Sequence, residues 1–271
     1  MVDFPLAHHV LRRNGCELHY WTTGSHHHPL VVLTHGAWID HTEFESLVPA
    51  LKDKYRLLLW DVRGHGLSKP ADPRFSIHEA MLDMLALIDT QQIGQVVLIG
   101  HSMGGNLSQE IVFYHPERVQ ALVCVDCTCN TLKLTSIEKF ILKIAFPLLH
   151  LYPYEVFRKQ AANISALSPK AQKKIYEMLV GLSKADYIQI LQETSLCLHH
   201  EPGYQIRKPL LIVVGDQDKT GNIRKIAPVW AKRDKDSELA IIPNAGHAVN
   251  LDQPAAFNQC VLDFLNKVTN Q

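Results

Sequence analysis

Val96-Val97-Leu98-Ile99-Gly100-His101-Ser102-Met103-Gly104-Gly105 decides how this chain reads. The apolar run before Gly100 has the character of a buried strand, and Met103 to Tyr114 has that of a helix ending before Pro116. G-x-S-x-G stands between them. A turn this tight from strand to helix holds its serine in a strained conformation. Only small residues fit two positions before and after it, hence Gly100 and Gly104. The Ser102 hydroxyl then stands above the carboxyl edge of a sheet, at a helix N-terminus that favours developing negative charge.

Outward from this turn, short apolar runs alternate with helical patterns. Leu30–Thr34, Arg56–Trp60, Gln95–Ile99, Ala121–Val125, Leu210–Val214 and Glu238–Ile242 read as strands. Thr42–Leu51, Ser76–Thr90, Asn222–Arg233 and Ala255–Val268 read as helices, with Ser76 and Glu79 spaced as a capping box. His9–Arg12 and Glu17–Trp21 flank Asn14-Gly15, a hairpin turn. Strands apolar on both faces, alternating with helices, predict a parallel sheet covered on both sides. The rhythm breaks between Val125 and Leu210. Residues 131–199 carry no convincing strand, and the spacing of Ile137, Phe140, Ile141, Ile144, Val156, Phe157, Ile175, Met178 and Leu179 predicts amphipathic helices. The expected organisation is an α/β core over residues 1–130 and 200–271, with a helical cap, or lid, over 131–199.

A serine hydroxyl is a weak nucleophile and needs a base. On this kind of sheet the expected chain order is Ser, acid, His. Among His115, His150, His199, His200 and His247, only His247 follows the last strand on a loop of small residues, Asn244-Ala245-Gly246. His115 reads as a helix cap, and His199 and His200 as surface residues. Val213-Val214-Gly215-Asp216-Gln217-Asp218 offers two carboxylates; Asp218 lies beyond the glycine turn and ranks first, with Asp216 as a loop support and Asp126 as a rival from the preceding strand end. An oxyanion needs two N–H donors. Met103 N–H is one candidate; Ala37 N–H, in His35-Gly36-Ala37-Trp38, is the other, with Trp38 walling a pocket. His101, beside the serine, is a candidate substrate contact.

Composition narrows the partners. The 271 residues hold 27 Lys+Arg and 27 Asp+Glu, so no global basic field is available for nucleic acid or an anionic membrane. Six cysteines are too few and too scattered for a disulfide framework. Cys124-Val125-Asp126-Cys127 matches C-x-x-C formally, but it falls on a strand end and reads as small hydrophobes. His26-His27-His28 reads as a solvated loop without a ligand partner. No signal peptide or membrane span is visible, and a cytoplasmic protein, monomeric or a homodimer, is expected.

The motifs His35-Gly36-Ala37-Trp38, Asp61-Val62-Arg63-Gly64-His65-Gly66-Leu67-Ser68, Gly100-His101-Ser102-Met103-Gly104-Gly105, Gly215-Asp216-Gln217-Asp218 and Gly246-His247 together resemble a lidded serine hydrolase of the α/β-hydrolase fold. The resemblance covers nearly the whole chain except the insertion. It implies an eight-stranded, mostly parallel sheet with the first hairpin at an antiparallel edge. It implies Ser102 as nucleophile, His247 as base and Asp218 as its orienting acid, with no metal or other cofactor. Asp252 stands where the family often has Glu, a departure outside the chemistry, and Arg63 is expected to pair with Asp61. The implied activity is hydrolysis of small to medium apolar carboxylic esters or lactones. Cleavage of carbon–carbon bonds in diketones, and a catalytically silent ligand-binding protein, are the alternatives. The cap is expected to supply an apolar acyl pocket, with Phe140 and Ile144 among its walls.

Overall fold

The computed structural model describes residues 6–179 and 181–269. Its centre is an eight-stranded sheet ordered β1-β2-β4-β3-β5-β6-β7-β8. The strands are β1 (Ala7–Arg13), β2 (Cys16–Thr23), β3 (Leu30–Thr34), β4 (Arg56–Trp60), β5 (Val96–His101), β6 (Val119–Val125), β7 (Leu210–Gly215) and β8 (Ser237–Ile242). The hairpin β1–β2 pairs antiparallel to itself and to β4, and every other pairing is parallel. Asn14 and Gly15 both adopt positive φ in its turn, as the Asn-Gly dipeptide requires.

The side chains of β3 to β7 alternate between two cores. Val32, Leu58, Leu98, Leu122 and Ile212 face one side, packed with Met84, Leu107, Ile111 and Trp230 from α2 (Ile77–Thr90), α3 (Met103–Tyr114) and α8 (Ile223–Arg233). Val31, Leu57, Val97, Val123 and Leu211 face the other, packed with Val48 and Leu51 of α1 (Val48–Leu51) and with Phe257, Val261 and Phe264 of α10 (Pro254–Thr269). The sheet is therefore apolar on both faces, as parallel sheets between helical layers are.

Two local expectations need correcting. Thr42–Leu51 is not one helix. His41–Phe44 forms a 3-10 turn capped by Asp40, and α1 restarts at Val48 with Pro49, which has no N–H to continue a ladder, in its first turn. Arg63 does not pair with Asp61. Its guanidinium makes a two-point pair with the buried Asp83 at 2.8 and 2.9 Å. Asp61 instead accepts from the ring and backbone of His41 and from Leu67 N–H. The segment still serves as a structural turn.

Between β6 and β7 the described residues form four helices, α4 (Ser136–Leu151), α5 (Tyr154–Ser165), α6 (Pro169–Met178) and α7 (Lys184–Ser195). They pack over the carboxyl edge of the sheet, where α9 (Val249–Asp252) follows the loop after β8. Among the described residues no helix is long and apolar enough to cross a membrane.

Candidate active site

The turn after β5 is as tight as its sequence demands. Ser102 has φ +49° and ψ −115°, a strained backbone for a residue with a side chain. A Cβ on Gly100 would lie 2.2 Å from the Gly104 carbonyl oxygen, and one on Gly104 would lie 2.2 Å from Thr34 O. Ser102 N–H donates to Val125 O at 2.8 Å, and Ser102 O accepts from Asn106 N–H at 3.0 Å. Both neighbouring elements thus hold the serine in place.

Three loops bring the titratable residues to it. His247, between β8 and α9, sets Nε2 2.9 Å from Ser102 Oγ and Nδ1 3.1 Å from Asp218 Oδ2. Asp218 follows β7, and its Oδ1 accepts Thr220 N–H at 2.7 Å. Burial raises the Asp218 pKa, but hydrogen bonding and charge from His247, with the Thr220 N–H, outweigh it and hold the carboxyl below its ordinary range. The other two carboxylates serve backbone. Asp216 Oδ1 accepts Ala245 N–H at 3.2 Å. Asp126, at the end of β6 with φ +41°, accepts Gly215 N–H at 2.8 Å and Val249 N–H at 3.1 Å. Complete burial and the nearby charge of Asp218 push its pKa well up. Asp126 thereby braces the two loops that carry Asp218 and His247.

The loop after β3 lies opposite. With Nδ1 of His35 assigned the proton, that nitrogen donates to Gly36 O at 2.7 Å and Nε2 accepts Val62 N–H at 3.0 Å. Ala37 and Met103 border the same cavity as Ser102, and Met103 begins α3, where an N–H has no intrahelical acceptor. Trp38, at φ +72°, donates its indole N–H to Tyr187 O at 3.2 Å and packs against the rings of Tyr187 and Phe157. It closes the seam between core and insertion.

His101 borders the cavity, yet its ring nitrogens turn to protein. Nε2 is 2.9 Å from the His247 carbonyl oxygen, and Nδ1 is 2.6 Å from Glu43 Oε1. Glu43, fully buried, also accepts Gly36 N–H at 3.0 Å and the Asn250 amide at 3.0 Å. Burial opposes both charges, but each holds the other. His101 is raised to about 9, chiefly by Glu43, and Glu43 is lowered, chiefly by His101. His101, expected as a substrate contact, borders the cavity beside Ser102, and its ring nitrogens face Glu43 and the His247 carbonyl oxygen. No local motif marks Glu43 or Asn250 for this role. A lone Glu in a short amphipathic segment gives no sign of burial.

Core and insertion enclose a cavity of about 460 Å³. Leu149, Phe157, Ile164, Ile175 and Leu191 wall it from the insertion, and its described lining contains no Asp, Glu, Lys or Arg. Phe140 and Ile144 do not line it; they point outward, 61% and 40% exposed. Asp252 joins insertion to core. It accepts Leu167 and Ser168 N–H from the α5–α6 junction and Gly246 N–H from the loop of His247. Among the described residues no His/Cys/Asp/Glu group has the form of a metal site, and the Cys124, Cys127 and Cys129 thiols are buried and unpaired by disulfides.

Similarity to known proteins agrees with this architecture. The family model described as "Alpha/beta hydrolase family" matches residues 31–259. The chain is 25% identical over 246 residues to 2-(acetamidomethylene)succinate hydrolase of Mesorhizobium japonicum, covering 88% of each. It is 27% identical over 264 residues to the serine hydrolase BPHL of Mus musculus, covering 93% of this chain and 84% of that protein. A thermophilic esterase from Thermogutta terrifontis superposes with a TM-score of 0.81 at 20% identity, covering 98% of this chain and all of that one. The chain belongs to the alpha/beta hydrolase family, and it is a hydrolase of that fold.

Proposed function

We propose that the protein is a serine hydrolase of neutral, apolar carboxylic esters or lactones, acting through Ser102, His247 and Asp218. The supporting observation is the unbroken chain from Asp218 Oδ2 to His247 Nδ1 and from His247 Nε2 to Ser102 Oγ. His247 Nε2 takes the Ser102 proton as Oγ attacks the ester carbonyl. The Asp218 carboxylate fixes the tautomer with the proton on Nδ1 and stabilises the imidazolium. Met103 and Ala37 N–H groups receive the oxyanion, and the tetrahedral intermediate collapses as His247 protonates the leaving alkoxide. Water then repeats the sequence on the acyl-Ser102 and frees the acid. No cofactor is required for these steps.

The lining argues the substrate class. An anionic acid would leave its charge in a cavity without Arg or Lys, at a cost that burial magnifies. The succinate named for the Mesorhizobium relative carries such charges. A neutral ester of small to medium size fits a cavity of about 460 Å³ lined by Leu, Ile, Phe and Trp. The helical insertion, residues 131–199, acts as the cap that supplies this apolar wall.

The test is active-site labelling with a fluorophosphonate, followed by a panel of p-nitrophenyl esters, lactones and carboxylate-bearing esters. Labelling at Ser102 alone, lost in Ser102→Ala, and turnover of neutral esters are expected. Labelling elsewhere, or turnover that survives Ser102→Ala, overturns the mechanism. Preference for carboxylate-bearing substrates overturns the assigned class.

A further inference from the structure

The two proposed oxyanion donors are held in different ways. Met103 N–H is fixed by the turn after β5, where Gly100 and Gly104 leave no slack. Ala37 N–H belongs to a loop that has left the sheet, since β3 ends at Thr34. Such a donor stabilises an oxyanion only when held within about 0.5 Å of the productive geometry before reaction. Two buried side chains hold this loop. His35 Nδ1 donates to Gly36 O at 2.7 Å, with the proton assigned as above. Gly36 O and Ala37 N–H share one planar trans peptide and point opposite ways, so fixing the first aims the second. The preceding peptide is held by its own N–H, which Gly36 donates to Glu43 Oε2 at 3.0 Å.

Glu43 does this as an anion. Its carboxylate faces donors: Gly36 N–H, the Asn250 amide at 3.0 Å and His101 Nδ1 at 2.6 Å. His101 in turn faces two acceptors, Glu43 Oε1 and the His247 carbonyl oxygen at 2.9 Å. A neutral imidazole has one N–H and serves only one of them, whereas an imidazolium serves both. The contacts therefore call for a doubly protonated ring at His101, between the loop of Ala37 and the loop of His247. Gly36 admits that ring against the loop, because a Cβ there would lie 2.6 Å from His101 Nδ1. Other ionisable groups also face the pair. The His247 ring lies 5.0 Å from that of His101, Asp126 approaches from the end of β6, and His35 stands beside Glu43. Burial drives Asp126 toward its protonated form, so Glu43 is the counter-ion of His101.

We propose that Glu43 is a positioning residue for the hydrolysis, holding the Ala37 donor in line with Ser102 through a His101 that carries both ring protons. The inference rests on the proposed serine mechanism and adds to it a group that touches no substrate. Loss of the Nδ1 proton would leave Glu43 a buried anion without its counter-ion. Loss of the Nε2 proton would set a lone pair against the His247 carbonyl oxygen. Either way the oxyanion loop or the base loop relaxes, while the apolar cavity walls that bind the ester are unaltered. Burial opposes the charge on His101, and Glu43 outweighs it, raising the pKa to about 9. The chemical step should therefore slow as pH rises through about 9, and substrate binding should not change with it.

The experiment is the acylation rate of the full chain with p-nitrophenyl butyrate, measured in single turnover from about pH 7 to 10.5 and corrected for spontaneous hydrolysis. Circular dichroism at each pH confirms folded protein, and return to pH 7 must restore the rate. The native rate should fall about tenfold or more through a midpoint near 9, with the half-saturating ester concentration within about twofold. Glu43→Gln should be about 10- to 100-fold slow at pH 7 with half-saturation again little changed, somewhat less than the ~10²–10³ lost with a whole oxyanion donor. Its profile should lack the alkaline limb and approach the native one above pH 10. A native rate that is level from pH 8 to 10.5 overturns the proposal. So does a Glu43→Gln deficit that is the same at every pH, which would make Glu43 a structural brace alone. Glu43→Asp covers the case in which Glu43→Gln does not fold, since it keeps the charge on a side chain one methylene shorter. The alkaline limb should persist there beneath a reduced rate, and a native rate or a lost limb overturns the proposal. Fluorophosphonate labelling separates the two readings. A protein not labelled at Ser102 fails as a serine hydrolase, whereas a labelled one with a level alkaline profile fails only here.

Discussion

His101 Nδ1 lies 2.6 Å from Glu43 Oε1, and the two side chains are almost fully buried beneath three loops of the site. Through Glu43 the pair reaches Gly36 of the β3 loop and Asn250 of α9, and through His101 it reaches the His247 backbone. A charge pair this deep is stabilising only while both members are ionised. His101, raised to about 9, contributes stability that is complete below the ordinary histidine range and lost as pH rises through about 9. Glu43, lowered, contributes stability that is complete above the ordinary carboxyl range and lost as pH falls through its depressed value. A stability plateau from about pH 5 to 6.5 follows, with a decline from there toward pH 9.

Glu43→Gln should shrink that plateau. The variant leaves the His101 charge buried without its counter-ion, a defect of roughly 3–5 kcal/mol in comparable pairs. The melting temperature should fall by on the order of 10 °C near pH 6, and the deficit should narrow above pH 9. Thermal melts of both proteins from pH 5 to 10 check this. A deficit that is constant across that range contradicts the ionised pair.

Asp218→Asn keeps the shape and removes the charge that holds His247. The loss in kcat should be several orders of magnitude, with ~10⁴ as the scale known for the equivalent change in a serine protease. Little change in melting temperature is expected. Asp126→Asn should behave in the opposite way, because its oxygens hold Gly215 and Val249 N–H groups. An amide NH₂ would meet one of those donors head-on, so stability should drop by about 1–3 kcal/mol. Single-turnover rates and urea melts on the two variants separate the roles. A crippled, stable Asp126→Asn would reverse them.

Gly104→Ala should fail before chemistry is reached. Its new methyl group would stand 2.2 Å from Thr34 O, and both partners are backbone. Gly94→Ala is the control, because nothing lies within 4 Å of its added carbon. Soluble yield and melting temperature should collapse for the first and hold for the second.

Ile175→Trp fills the cavity from the insertion side. Butyrate and longer p-nitrophenyl esters should lose about tenfold in kcat/KM relative to acetate, while labelling of Ser102 by a small fluorophosphonate persists. An unchanged chain-length profile would mean that acyl chains do not reach this wall.

Some of this could be read from residues alone. β3 to β7 are apolar on both faces, so their burial is written in consecutive residues. Gly100-His101-Ser102-Met103-Gly104 carries its own steric reason. Glu43 is different, because its role is made by Asn250, 207 positions away, and by a histidine at the end of β5. No local pattern encodes that meeting. Phe140 and Ile144 show a related limit. Periodicity reveals that α4 has an apolar stripe, but α4 has two apolar sides, and only packing decides which faces the cavity. The Arg63 partner could not be read either, since Asp61 is the nearer carboxylate in sequence and Asp83 the nearer in space.

The carboxylate of Asp252 has a consequence for how this protein can be rebuilt. It receives backbone N–H groups from Leu167 and Ser168 on one side and Gly246 on the other, while Ala248 N–H donates to Ser165 O at 2.7 Å. The insertion is therefore not an interchangeable module hung on two hinges, since its middle is stitched to the loop that aims the imidazole. A chimera that exchanges residues 131–199 for another helical segment inherits a severed stitch unless the donor presents the same backbone trace at 165–168. Transplants cut at the α5–α6 junction and matched there should keep the imidazole in register, whereas swaps matched only at the two ends should not.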